Sequence, residues 1–163
     1  MNCLLIAATA KEIAPFLAHY RNTQEQFLDD MNIDVLVTGI GLTATTYHLT
    51  RQLQLKRPDL LIQAGVAGCF DHSIPLGTVL AIKQDTIADE SVIELKKLKT
   101  LFDLELVPQD QFPFSKGWLV NDTALLKKNK LKFPLFKSAT KEYIVPSPIL
   151  FLHSCIVSVK AKL

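Results

Sequence analysis

The stretch Pro58-Asp59-Leu60-Leu61-Ile62-Gln63-Ala64-Gly65-Val66-Ala67-Gly68-Cys69-Phe70-Asp71-His72-Ser73-Ile74-Pro75-Leu76-Gly77-Thr78-Val79-Leu80 decides how this chain is read. Leu60, Leu61 and Ile62 form a short apolar run. Such a run suits a central strand covered on both faces. Gly65 and Gly68 follow, so a sharp turn and a close approach to a ligand are expected there. In open α/β sheets, ligands bind beyond the carboxyl ends of the strands. The loop from Gly65 to Phe70 is expected at that edge. The plainer alternative is an ordinary connection between two strands.

Outward from this stretch, strands and helices alternate. Leu4 to Ala8 reads as a first strand, and a helix follows over Glu12 to Tyr20. Thr9 and Glu12 fit a capping box, Thr-x-x-Glu. Pro15 argues for a start near Lys11 or Glu12, which puts the proline in the tolerated first turn. Glu12 is then either a capping group or a chemical one. Asn22 to Asn32 is polar and reads as a crossing between elements. Ile33 to Val37 is the second strand; it runs into Thr38-Gly39-Ile40-Gly41 and a helix from Leu42 to Leu55. Pro58 ends that helix region. Beyond the quoted stretch, Val79 to Lys83 reads as a strand. Leu95, Leu98, Leu101 and Phe102 suggest a short helix or turn, and Leu106 to Gly117 a loop. Trp118 to Val120 suggests a short strand, with Asn121 or Asp122 capping a helix through Lys128.

The fold class expected is α/β, a mixed β-sheet flanked by helices, in a single domain spanning residues 1–163. The 163 residues are 48% apolar and 21% charged, which excludes a disordered chain. A formal net charge of +2 is too small to point to nucleic acid or an anionic membrane, so neither is an expected partner. Lys96, Lys97 and Lys99, and again Lys127, Lys128, Lys130 and Lys132, read as solvated helix faces. Cys3, Cys69 and Cys155 are odd in number and widely spaced, with neither a disulfide framework nor a zinc pattern. That usage fits a reducing, cytoplasmic setting. The N-terminus lacks the basic region of a secretory signal. The apolar stretch from Ile144 to Val159 is short for a membrane span and contains Pro146, Pro148 and His153.

Gly39-x-Gly41-x-x-Ala44 matches the dinucleotide fingerprint, after a strand and opening a helix. The acidic residue that reading needs would be Asp59, which starts the next strand and so belongs at the wrong edge of the sheet. His19, His48, His72 and His153 show no metal-ligand spacing. His48 reads as a surface residue, and His72 lies close to the glycine loop.

Four segments together resemble a known family. They are Leu5-Ile6-Ala7-Ala8-Thr9-Ala10-Lys11-Glu12-Ile13, Thr38-Gly39-Ile40-Gly41, Gln63-Ala64-Gly65-Val66-Ala67-Gly68 and Leu76-Gly77-Thr78-Val79. They look like successive motifs of the nucleoside phosphorylase and nucleosidase superfamily. Ala67-Gly68-Cys69-Phe70-Asp71, Leu101-Phe102-Asp103-Leu104, Pro113-Phe114 and Gly117-Trp118-Leu119 are most similar to the futalosine hydrolases within it. The resemblance covers residues 1–138. It implies an N-ribosyl hydrolase that releases hypoxanthine from the purine nucleoside futalosine, in menaquinone biosynthesis. A methylthioadenosine/S-adenosylhomocysteine nucleosidase is the alternative. The resemblance also implies no cofactor, no metal and a homo-oligomer. Glu12 matches the early glutamate that positions or activates the attacking water. Ile40, Val66, Ala67 and Gly68 match positions that line the ribosyl and base pocket. Thr9-Ala10-Lys11-Glu12 stands where the phosphorylases carry an arginine-bearing phosphate loop, which favours water as nucleophile.

The chain departs from the family after residue 138. It lacks the family's Met-Glu pair for the ribose hydroxyls, and the later aspartate that assists the leaving base has no counterpart. Residues 139–163 read as a divergent tail, the body as an incomplete nucleosidase, and the central strands as left with an unpaired edge. Two further classes follow as alternatives: a catalytically incomplete nucleoside-binding fragment, and a dinucleotide-dependent oxidoreductase.

Overall fold

The computed structural model describes residues 1–27, 31–68, 71, 73–87, 90–122, 135–137, 151–152 and 156–161. The expected segments bearing Cys69, Phe70, His72, Lys127 to Lys132, His153 and Cys155 lie outside these residues.

The core is built on β1 (Asn2–Ala7), whose residues Cys3 to Ala7 are all buried. A strand alternates its side chains between two faces, so burial on both requires a cover on each. Leu5 and Ala7 pack with Ile13, Phe16 and Leu17 of α1 (Ala10–Phe27). Leu4 and Ile6 pack on the other face with Leu61, and with Leu49 and Leu53 of α2 (Leu42–Leu55). Each such buried Leu or Ile contributes about 1.5–3 kcal/mol relative to exposure. β2 (Asn32–Val37) and β3 (Leu60–Gln63) flank β1, both parallel to it. Parallel neighbours place the carboxyl ends of all three strands on one edge of the sheet.

α1 starts earlier and runs further than the sequence reading. Thr9 caps it, and Pro15 lies inside it. The missing Pro15 N–H would have reached the Lys11 carbonyl. An interior proline costs about 3 kcal/mol, offset here by the buried Ile13 and its neighbours Phe16 and Leu17. The polar segment from Asn22 to Phe27 continues the helix and does not form the expected crossing. α2 has the expected bounds, and its last turn closes on a bond from the Lys56 N–H to the Gln52 carbonyl.

The other half of the sheet is mixed. β11 (Ile156–Ala161) pairs antiparallel with β3 and parallel with β5 (Leu80–Asp85). The hydrogen-bonded order is β2-β1-β3-β11-β5-β8, with β8 being Leu119–Val120 and β9 (Leu135–Lys137) also on β5. The expectation of an unpaired central edge is therefore corrected: a strand from the 139–163 segment occupies the free side of β3. A second strand of that segment, β10 (Phe151–Leu152), pairs with β4 (Ala67–Gly68).

Of the short helix or turn expected at Leu95, Leu98, Leu101 and Phe102, the structure has turns at Leu95 and at Leu101 and Phe102, and no helix. β6 (Ser91–Glu94) and β7 (Lys97–Thr100) form an antiparallel hairpin. Leu95 and Lys96 turn it with φ of 50° and 66°, the conformation of a two-residue hairpin turn. Lys96, Lys97 and Lys99 thus lie on a hairpin, and Lys99 pairs with Glu94. No helix among the described residues is long and apolar enough to cross a membrane.

Candidate functional site

The carboxyl edge of β1, β2 and β3 carries three short connections. Residues 8 and 9 join β1 to α1, residues 38–41 join β2 to α2, and residues 64–66 join β3 to β4. Glu12 reaches from the first turn of α1 into this edge. Its Oε2 accepts from the Thr9 N–H at 2.8 Å and from the Thr9 hydroxyl at 2.9 Å. The Glu12 N–H returns to the Thr9 hydroxyl at 3.4 Å, which completes the capping box. Oε1 accepts from the Val66 N–H at 3.2 Å. The carboxylate therefore ties the start of α1 to the loop after β3.

Gly65 makes that tie possible. A Cβ at position 65 would stand 3.2 Å from Glu12 Oε1. The space was expected for a ligand; a carboxylate of the chain itself takes part of it. Neither Gly65 nor Gly68 has a positive φ, so neither position needs glycine for a left-handed backbone. Gly39 does need to be glycine. Its φ is +84°, and a Cβ would lie 3.2 Å from the Ala44 Cβ. Thr38 is buried at the end of β2, and its N–H bonds the Ala7 carbonyl at 2.9 Å. Thr45 adds a hydroxyl bond to Thr38 Oγ1 at 3.3 Å, which fixes the second loop against α2.

Ile40 projects from that loop, 78% exposed, and Val66 is 48% exposed. Ala67 and Gly68 form β4, with Leu152 opposite Ala67 and Phe151 opposite Gly68. Glu12 and Val66 are thus in direct contact, Ala67 and Gly68 follow without a break, and Ile40 stands on the adjacent loop of the same edge. Asp59 lies at the other edge, where it accepts from the Asn2 N–H at 2.7 Å. The glycines of the dinucleotide fingerprint are accounted for by backbone geometry, and their acidic partner is misplaced.

A cavity of about 190 Å³ begins at Gln63, two residues before Gly65. Gln84, Asp85 and Asn121 contribute polar groups to its wall, and Ile82 and Leu119 apolar ones. Asn121 is anchored by bonds from its N–H to the Lys83 carbonyl and from Nδ2 to the Ile82 carbonyl. Its Oδ1 is buried with no hydrogen-bond partner among the described residues. A wider, open depression of about 510 Å³ lies by Thr50, Leu53, Gln54 and Arg57, towards the end of α2 and so away from the carboxyl edge. No group of three or more His, Cys, Asp or Glu among the described residues could hold a metal ion.

The sequence reading missed three participants. Thr9 was legible only as a cap, Asn121 only as a helix start, and residues 151–152 only as part of a tail.

No protein-family model and no curated protein matches this chain. Solved structures do. The chain is similar to 5′-methylthioadenosine/S-adenosylhomocysteine nucleosidase from Streptococcus pneumoniae bound to a transition-state inhibitor, with a TM-score of 0.65 at 16% identity, over 96% of this chain and 84% of that one. The fold is nucleoside phosphorylase-like. A Helicobacter pylori structure with 5′-methylthioadenosine in its active site gives a TM-score of 0.64 at 16% identity, over 96% of this chain and 83% of that one. Helicobacter pylori futalosine hydrolase gives 0.63 at 14% identity, over 96% and 86%. These neighbours share the nucleoside phosphorylase-like architecture, a mixed sheet with helices on its faces.

Proposed function

We propose that this chain is an N-ribosyl hydrolase of purine nucleosides, with futalosine as substrate and Glu12 as the group that orients and deprotonates the attacking water. The observation that carries the reading is the Glu12 carboxylate, held by Thr9 and Val66 at the carboxyl edge of a nucleosidase-like sheet. In the reaction the bond between the ribosyl carbon and the base nitrogen breaks. The base nitrogen keeps the bonding electrons and takes a proton from solvent water. The ribosyl carbon gains cationic character and binds the water oxygen, and the water proton passes to Glu12. General-base help of this kind contributes roughly 10²–10⁴-fold. Ile40, Val66, Ala67 and Gly68 are proposed to line the nucleoside pocket. Small-molecule binding at that edge fits the rule for open α/β sheets.

Methylthioadenosine or S-adenosylhomocysteine is the second substrate reading. It is favoured by the fold neighbours that are nucleosidases for those compounds. The test measures hypoxanthine released from futalosine and adenine released from methylthioadenosine, with Glu12→Gln beside the natural chain. Release of hypoxanthine that falls at least a hundredfold in Glu12→Gln supports the first reading; adenine alone supports the second. No release from a folded protein that still binds either nucleoside makes it a binding protein and overturns the hydrolase. We also propose a homo-oligomer, checked by sedimentation.

A further inference from the structure

Resting on the reading of Glu12 as the base, we infer that Thr9 is a positioning residue that makes Oε1 of Glu12, and not Oε2, the atom that takes the proton. A carboxylate offers about four lone-pair sites, two on each oxygen. Thr9 fills both sites on Oε2, one with its N–H at 2.8 Å and one with its hydroxyl at 2.9 Å. Val66 fills one site on Oε1 at 3.2 Å. Among the described residues one site is left without a donor, and it is on Oε1. Clearance for that oxygen comes from Gly65, whose missing side chain would otherwise stand 3.2 Å away. The Thr9 hydroxyl has two duties, because it also accepts from the Glu12 N–H at 3.4 Å. That return bond fixes the direction in which the hydroxyl hydrogen points, towards Oε2. The two Thr9 donors come from one residue, so they hold the carboxylate plane as well as its position. A hydroxyl lost from Thr9 frees a lone pair on Oε2 and lets the group turn about its last bond. The base then samples orientations in which neither oxygen meets the water. Misplacement of a reacting group by a fraction of an ångström to an ångström costs up to about 10²-fold.

The test is a cycle of Thr9→Val, Thr9→Ser, Glu12→Gln and the Thr9→Val/Glu12→Gln pair, with kcat, KM and the 15N–1H spectrum of each. Thr9→Val is expected to lower kcat about tenfold or more, with KM within about twofold, and Thr9→Ser to restore it. In the Glu12→Gln background, Thr9→Val should change kcat less than about twofold, because the positioned group is gone. An equal loss in both backgrounds reduces Thr9 to a helix cap and overturns the inference. The Val66 amide resonance gives an arm that needs no turnover. It should move in Thr9→Val, as the carboxylate turns, and return in Thr9→Ser. A Val66 resonance unchanged in Thr9→Val overturns the positioning role even if the hydrolase reading stands. A shifted resonance in a protein that releases no base keeps the positioning role and removes the hydrolase.

Discussion

Thr9-Ala10-Lys11-Glu12 and Thr100-Leu101-Phe102-Asp103 use the same local grammar to different ends. In both, a threonine gives its N–H and its hydroxyl to one oxygen of an acid three residues on, and the acid returns its own N–H. At Thr100 the distances are 2.9, 2.8 and 3.2 Å. The first pair differs by one bond. Val66, 54 residues away, reaches the free oxygen of Glu12. Asp103 follows the exposed hairpin β6–β7, whereas Glu12 stands over a strand buried on both faces. The local motif caps a helix at Thr9 and closes a turn at Thr100. Only the long-range donor and the place on the sheet edge turn one of them into a candidate site.

The largest expected effect breaks the foundation of the first region. Leu5→Ala should lower the unfolding free energy by about 2–5 kcal/mol, since Leu5 lies in the cluster with Ile13 and Phe16. Leu98→Ala, on the hairpin and 59% exposed, should stay within about 0.5 kcal/mol. Equal losses in urea titrations of the two variants would mean that the hairpin is as much core as β1. Next, Gly65→Ala pushes on Glu12 Oε1 from 3.2 Å. Hydrolysis should fall about tenfold or more while the melting temperature stays within a few degrees; a fully active variant would show that the carboxylate has room to spare.

The third effect is read at Asp103 by pH. The Thr100 N–H, and after it the Thr100 hydroxyl, hold the Asp103 carboxyl below its ordinary value; Lys99 adds a little in the same direction, and desolvation slightly opposes it. The unfolded chain then binds more protons than the folded one in acid. Stability from Asp103 is present above the ordinary aspartate value of about 3.9, and it is lost as pH falls through the lower folded value. Asp103→Asn should flatten that part of the acid loss and leave hydrolysis unchanged. Urea midpoints between about pH 5 and about pH 2 check it, and a slope identical to the natural chain's would remove the Thr100 bonds as its cause. The smallest effect is at the Lys56–Asp34 pair, 2.6 Å apart with both side chains about two-fifths exposed. Lys56→Met should cost about 0–1 kcal/mol.

Strong local patterns were legible before the structure. The apolar run in β1 and β3, the Gly39 to Gly41 punctuation and the spacing of Leu42, Tyr47, Leu49 and Leu53 placed β1, β2, α2 and β3 to within a residue or two, although Tyr47 is exposed. Where two influences competed, the reading failed. Asn22 to Phe27 carries no apolar period, yet its glutamines and glutamate suit a helix already nucleated upstream. Leu95 and Lys96 adopt positive φ without the glycine or asparagine that announces such a turn. Of the site, Glu12 and its choice of Thr9 as a capping partner lay in the four-residue pattern. The Val66 bond, the Gly65 clearance around Oε1 and the pairing of Ala67 with Leu152 join residues far apart in sequence. No local spacing encodes them.

β11 sits between β3 and β5, although both are made long before it. On a ribosome the chain emerges from its N-terminus, so β1, β2 and β3 can assemble while their neighbour is still unsynthesised. β3 must wait with one row of peptide groups open, and β5 cannot simply close against it without taking the place reserved for Ile156 to Ala161. Completion of the sheet is therefore an insertion between two waiting strands. The time between translation of Gln63 and translation of Ser158, which pair in the finished sheet, is the interval in which this protein is most exposed to a wrong partner.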